Sequence, residues 1–256
     1  MVHIVGYLFH KIKNHIKMKK IVFFFLVSVL TSFTIKAQTV DEIVNKHIEA
    51  IGGAKLLESI NSMKMEGSIE VQPGMTAPIT IQVINEKSLR MDLSIMGMTM
   101  NQVIDGESGW MVNPFGGNPA PEPITPDQIK ETKGQMDLKG KLYNYAAKGT
   151  KVEFVSKDEV EGADVLKLRV TEKDGKVTFT YLDAKTYFII KETIIVKVDD
   201  AETEVNTVYS NFKKTPEGFT FAYTMQNEMA GGPINWEKVE INPKIDPEIF
   251  KMPAKN

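Results

Sequence analysis

From residue 62 onward apolar and polar positions alternate. Met63, Met65, Gly67, Ile69 and Val71 interleave with Lys64, Glu66, Ser68 and Glu70, a period of two that marks a strand with one buried face. The same reading predicts strands over 79–85, 89–95, 98–104 and 109–112. It predicts more over 151–156, 165–171, 177–182, 187–198, 204–212, 219–228 and 234–241. The connections are short and turn-like: Asp174-Gly175, Asp183 to Thr186, Asp199-Asp200, Pro216 to Gly218 and Gly231 to Pro233. Asp-Gly between two alternating runs is a strong hairpin signal, and without crossover helices the sheet is antiparallel.

Before the strands the period is that of a helix. Thr39 and Glu42 form a capping box, followed by Val40, Ile43, Val44, His47, Ile48 and Ile51 on one stripe. Gly52-Gly53 ends this helix, and a shorter one is expected over 54–59. Asn113 to Pro126 is rich in Pro and Gly and reads as a loop. Thr125 and Gln128 make a second capping box with Pro126 at the first helical position, so a helical segment is expected from there to about Ala147, with Gly134 or Gly140 as the place for a break. The fold class is α+β. A curved antiparallel sheet of about 10–11 strands wraps over a few helices as one domain, 38–256, since an open sheet that wide curls.

One face of the sheet is apolar and aromatic. Phe219, Phe221, Tyr223, Met225 and Met229 share a parity, Val177, Phe179 and Tyr181 repeat it, and so do Phe188, Ile190, Ile194 and Val196. Methionines gather in the first half: Met91, Met96, Met98, Met100 and Met111, beside Met63 and Met65. Methionine suits adaptable apolar surfaces as well as ordinary cores, so periodicity leaves open whether the interior is solid or holds a pocket. If it holds one, the lining drawn from this pattern is Met91, Met98, Met100, Trp110, Phe179, Tyr181, Phe221 and Tyr223. Arg90 and Asp92 lie on the strand face opposite Leu89, Met91 and Leu93. Arg90 is either half of a local ion pair or a polar handle at a cavity mouth.

The N-terminal segment changes the setting. Lys19 and Lys20 precede the apolar run Ile21–Ile35, and Ile35-Lys36-Ala37 offers a cleavage site before Gln38. That is the anatomy of a secretory signal, with 1–17 as an upstream extension if Met18 is the start. The run is shorter than a bilayer span of ~20 residues, so cleavage after Ala37 and a periplasmic location are expected. The whole chain carries a net charge of −2, and the six lysines before Gln38 leave a mature net charge of −8. An acidic surface argues against nucleic acid and anionic headgroups as partners.

Candidate chemistry is sparse. The chain has no Cys, and its only His beyond the signal segment is His47, on the apolar stripe of the first helix. No zinc set can be assembled from these residues, a nucleophilic triad would have to be built on His47 alone with no Gly-x-Ser-x-Gly to accompany it, and no phosphate-cradling Gly motif is present. No cofactor or metal is expected. The residues point to a binding module, with an enzyme acting through carboxylates alone as the other class.

The order of several weak motifs resembles the LolA and LolB family of periplasmic lipoprotein carriers, and the outer membrane lipoprotein-sorting proteins of Bacteroidetes type. The carrying residues are Ser62–Ile69 with its mid-strand Gly67, then Ser88–Asp92 with Arg90. They continue with Val103–Val112 around Asp105-Gly106 and Trp110, then Tyr181–Lys191, and close with Val239–Pro253. The resemblance implies that the curved antiparallel sheet is a half-barrel, half-open with a helical lid over an apolar cavity, binding an acyl chain. It implies transfer from an inner-membrane donor to an outer-membrane acceptor, by a monomer. Arg90 would match the arginine that helps close the lid, and Trp110 an aromatic of the Asp-Gly strand. The same fold also suits a sensor or interaction module whose lipid or protein ligand regulates a partner.

Overall fold

In a computed structural model, residues 39–116, 118–198 and 201–253 are described. The signal segment, its cleavage site and the Asp199-Asp200 turn lie outside them. Thr39 caps α1 (Val40–Ala50) in the expected box, and Ile43, Val44, His47 and Ile48 are its buried stripe. The chain then passes through Gly52 and Gly53, both at positive φ, into α2 (Ala54–Ser59).

The first half of the sheet comprises β1 (Ser62–Gln72), β2 (Met75–Ile84), β3 (Ser88–Ile95), β4 (Met98–Asp105), β5 (Ser108–Asn113) and β6 (Asn118–Pro123). The second comprises β7 (Lys151–Val160), β8 (Ala163–Thr171), β9 (Val177–Asp183), β10 (Ile189–Val198), β11 (Ala201–Lys214), β12 (Thr220–Asn227) and β13 (Ile234–Ile241). All lie in one open, curved antiparallel sheet of 13 strands, in the order β6-β5-β4-β3-β2-β1-β13-β12-β11-β10-β9-β8-β7. The expected half-barrel is present and wider than about 10–11 strands.

Part of the difference is β6, which falls where composition suggested only loop. Its prolines, Pro119, Pro121 and Pro123, share one parity on an edge strand. An edge strand needs its N–H groups on one side only, so prolines every second residue are compatible with pairing and block further strand addition. The helical segment from Pro126 breaks in the region of Gly134, and it does not resume as a helix toward Ala147. α3 (Pro126–Thr132) passes into a 3-10 turn, Lys133–Met136, and then into consecutive turns to Gly149. Gly140 and Asn144 both take positive φ there, which an α-helix does not accommodate.

The two halves meet where β1 pairs with β13, and a bulge at Glu66/Gly67 shifts the register there. A Cβ on Gly67 would collide with the Asn235 carbonyl and lie 2.9 Å from Trp236 Cα, so glycine is required by backbone approach rather than by φ. Since β6 and β7 are opposite edges, the link between them must cross the sheet. Ile129 and Met136 pack on Val83, Leu89 and Ile104 of β2–β4. Leu142 and Tyr143 join the main core with α1, β1, β8 and β13. Helices and crossover together cover the concave face.

Candidate functional site

The concave face is not packed solid. Between the crossover segment and strands β9–β12 lies a half-open cleft of about 290 Å³. Its apolar wall is Ile51, Leu142, Ile189, Phe212, Phe219 and Phe221. Phe212 stacks on Phe188 at 4.7 Å, and Phe221 sits between Phe219 and Tyr223 with centroids 6.1 and 6.2 Å away. A second cleft of about 370 Å³ runs between α1 and residues 142–147 and includes no sheet residue.

The other wall of the first cleft is polar. Tyr209 donates to Glu192 Oε2 at 2.8 Å, and Thr180 donates to Glu192 Oε1 at 3.5 Å. Lys141, from the crossover, donates to Thr178 at 3.1 Å and lies 3.6 Å from Glu192 and 3.9 Å from Glu172. Burial, with the Glu192 charge and hydrogen bond behind it, pushes the Tyr209 hydroxyl far above the ordinary phenol range, so it stays protonated. His47 closes this wall from α1. Its Nδ1 is 2.8 Å from the Tyr187 carbonyl. A carbonyl only accepts, so Nδ1 carries the proton and Nε2 is a lone pair. Burial holds the His47 pKa below its usual value, against the opposing pull of the Tyr187 bond and the Glu192 charge, and the ring is neutral near pH 7.

The structure divides the expected lining residues between the two faces. Ile81 pairs with Met91, Leu93 with Met100 and Ile95 with Met98, and this row is concave together with Phe221 and Tyr223. Of these five, Phe221 lines the cleft. Met98 is 42 % exposed at the end of its hairpin.

Trp110, Phe179 and Tyr181 are on the convex face, a correction to the expected lining. Trp110 pairs with Val103, and Val103 with Arg90. Trp110 is buried beneath the C-terminal turn Pro247–Phe250 with Val103 and Phe250, and its Nε1 donates to the Phe250 carbonyl at 2.9 Å. Arg90 belongs to the same outer clasp rather than to a cavity mouth or lid. Its Nη1 donates to the Ile249 carbonyl at 2.7 Å, its Nε binds Asp92 at 2.9 Å, and its guanidinium lies 5.8 Å from the Trp110 ring. Phe179 and Tyr181 point outward because their neighbours cover them. Lys167 lies 4.9 and 5.1 Å from the two rings, and Lys191 5.3 Å from Tyr181. Lysine stems over aromatic rings bury apolar area on a solvent face.

The inward positions of β9 are therefore Thr178 and Thr180, 0 and 1 % exposed. Pattern reading passed over these, along with Glu192, Tyr209 and Lys141. The β8–β9 register carried the signal. Thr171 pairs with Val177 across the Asp-Gly turn, which sets Thr180 beside Leu168, and Leu166, Leu168 and Val170 are plainly the buried set of β8. Among the described residues no cluster of His, Asp and Glu could hold a metal ion, and no helix is long and apolar enough to cross a membrane.

No family model matches the chain, and no curated protein matches it. Solved structures do. A LolA superfamily protein from Nitrosomonas europaea superposes with a TM-score of 0.54 at 13 % identity, over 84 % of this chain and 98 % of that one. A domain from Vibrio parahaemolyticus named for outer membrane lipoprotein sorting gives 0.51 at 13 % identity, over 82 % and 94 %. A DUF1329 family protein from Desulfovibrio piger gives 0.50 at 12 % identity, over 83 % and 97 %. The fold is LolA-like: an open, curved antiparallel sheet around a few helices.

Proposed function

We propose that the protein is a periplasmic carrier that holds an acyl chain, of a lipoprotein or another lipid, in the concave cleft for transfer toward the outer membrane. The observation that carries this is the cleft itself, half-open and walled on one side by three phenylalanines and three aliphatic side chains. Each buried CH₂ contributes ~0.8 kcal/mol, so part of one chain is held by several kcal/mol before ordering costs. A half-open wall lets the chain enter and leave, as a carrier needs. The donor would be an inner-membrane complex and the acceptor an outer-membrane protein. The chain would be exported by the segment before Gln38, and N-terminal sequencing of the periplasmic form should then begin at Gln38. Binding without turnover is the corresponding activity.

Titration with a fluorophore-labelled monoacylglycerol tests the reading. Saturable one-site binding is expected, weakened by Phe221→Asp in a variant that keeps its melting transition. Absence of saturable binding in the wild type would sink it.

A further inference from the structure

The cleft has a polar wall that hydrocarbon alone does not require. We propose that this wall binds the head group of a single-chain amphiphile that donates hydrogen bonds, a primary ammonium, and discriminates against a carboxylate. This rests on the carrier reading and adds the chemistry of the ligand.

Three features converge on a donor. Glu192 Oε1 has only long contacts, at 3.5 Å to Thr180 and 3.6 Å to Lys141, so it retains accepting capacity. His47 is 6 % exposed and lines the same cleft. With Nδ1–H committed to the Tyr187 carbonyl, its Nε2 lone pair has no hydrogen-bond partner among the described residues. Glu192 is close enough for its charge to act on the His47 ring. An open lone pair on His47 Nε2 and a weakly engaged carboxylate oxygen on Glu192 face one wall, so N–H or O–H groups on a ligand find acceptors there.

Charge then separates the donors. Lys141 sits between Glu172 and Glu192, one positive group against two negative, and Tyr209 stays neutral. An ammonium has three N–H donors and meets the two carboxylates of this cluster, of which Glu192 lines the cleft. A hydroxyl supplies the donor without the charge. A carboxylate supplies neither and meets Glu192 as a like charge, which is how a site rejects a wrong ligand of the same length. Lys139 also lines the cleft and has no ion pair among the described residues, and it is the cation that a carboxylate would have to use.

Isothermal titration of the full-length mature protein with decylamine, decanol and decanoate, each below its micelle concentration, reads this out. Decylamine should bind about tenfold or more tightly than decanoate, with decanol between them. Glu192→Gln keeps an acceptor for Tyr209, and should lower decylamine affinity by about tenfold and decanol affinity by a smaller factor, since only the ammonium loses a charge partner. Decanoate binding as tightly as decylamine would overturn the assignment and give the site to Lys139. An amine preference that survives Glu192→Gln would reduce it to attraction by an acidic chain. Equal affinities for all three would refute head recognition and leave the carrier reading standing. If none binds, the carrier reading fails as well. Should the variant not fold, the nitrogen NMR signal of His47 Nε2 in the wild type decides: it shifts on decylamine binding, or the proposal is wrong.

Discussion

Replacing Trp110 by Phe separates the two faces of the sheet. Trp110 is 4 % exposed, and its indole N–H serves one purpose, a 2.9 Å bond to the Phe250 carbonyl in the C-terminal turn. Phenylalanine keeps the ring against Val103 and Phe250 and part of the contact with Arg90. It removes the donor and leaves a buried carbonyl unpaired, which costs about 1–3 kcal/mol. In a domain of this size each kcal/mol lowers Tm by about 2–4 °C, so a fall of roughly 2–12 °C follows. Acyl-chain affinity should not change, because the side chain lies on the convex face and the cleft is concave. Differential scanning calorimetry and the monoacylglycerol titration, run on the same preparation, measure both. The variant also leaves Trp236, on the concave face, as the sole tryptophan beyond the signal segment. A tenfold loss of affinity at unchanged Tm would refute the placement of Trp110 outside the site.

Further outcomes follow from single contacts. Gly67→Ala should lower stability by about 1–3 kcal/mol, because its Cβ meets backbone rather than a movable side chain at the β1–β13 bulge. Retention of wild-type Tm would mean that the two halves do not approach as described. Thr215 Oγ1 is buried without a hydrogen bond among the described residues. Thr215→Val should therefore raise stability, by about 1 kcal/mol, checked by chemical denaturation; a loss would show that the hydroxyl has a partner. His47 has a folded pKa below its unfolded value of about 6.5. The unfolded state then binds more protons in that interval, so stability falls as pH drops from about 6.5 toward the folded pKa and is flat above it. His47→Gln, which can still donate to Tyr187, should lose that slope in urea melts at a series of pH values; a variant with the wild-type slope would place the titration elsewhere.

Apart from β6, the strands, their antiparallel pairing and both capping boxes were legible, because period-two alternation and short turns leave little choice of topology. The curvature followed from strand number, and the half-barrel from the family resemblance. The faces were less legible, because aromatic residues were taken to point inward wherever they alternated. Phe221 and Tyr223 obey that rule, while Phe179 and Tyr181 break it under the stems of Lys167 and Lys191. Arg90 already lay opposite Met91 by parity. Carrying that parity across Val103 to Trp110 would have put both on the outer face. The clasp of Pro247–Phe250 was not legible, since it depends on contacts across more than a hundred residues. The polar wall was missed for the same reason: Lys141 and Glu192 are far apart in sequence and meet only because the crossover traverses the sheet. The beginning of that crossover was marked by its capping box, but its backbone beyond Met136 follows glycine and asparagine turns rather than a helical period.

The central claim is that the concave cleft holds a lipid chain. Mass spectrometry of the natively purified protein, before and after organic extraction, tests it most directly. The account predicts a chain-bearing amphiphile bound one to one, released by extraction and absent from folded Phe221→Asp. A ligand-free mass in the native preparation, from protein that also takes up no labelled acyl chain, would contradict it.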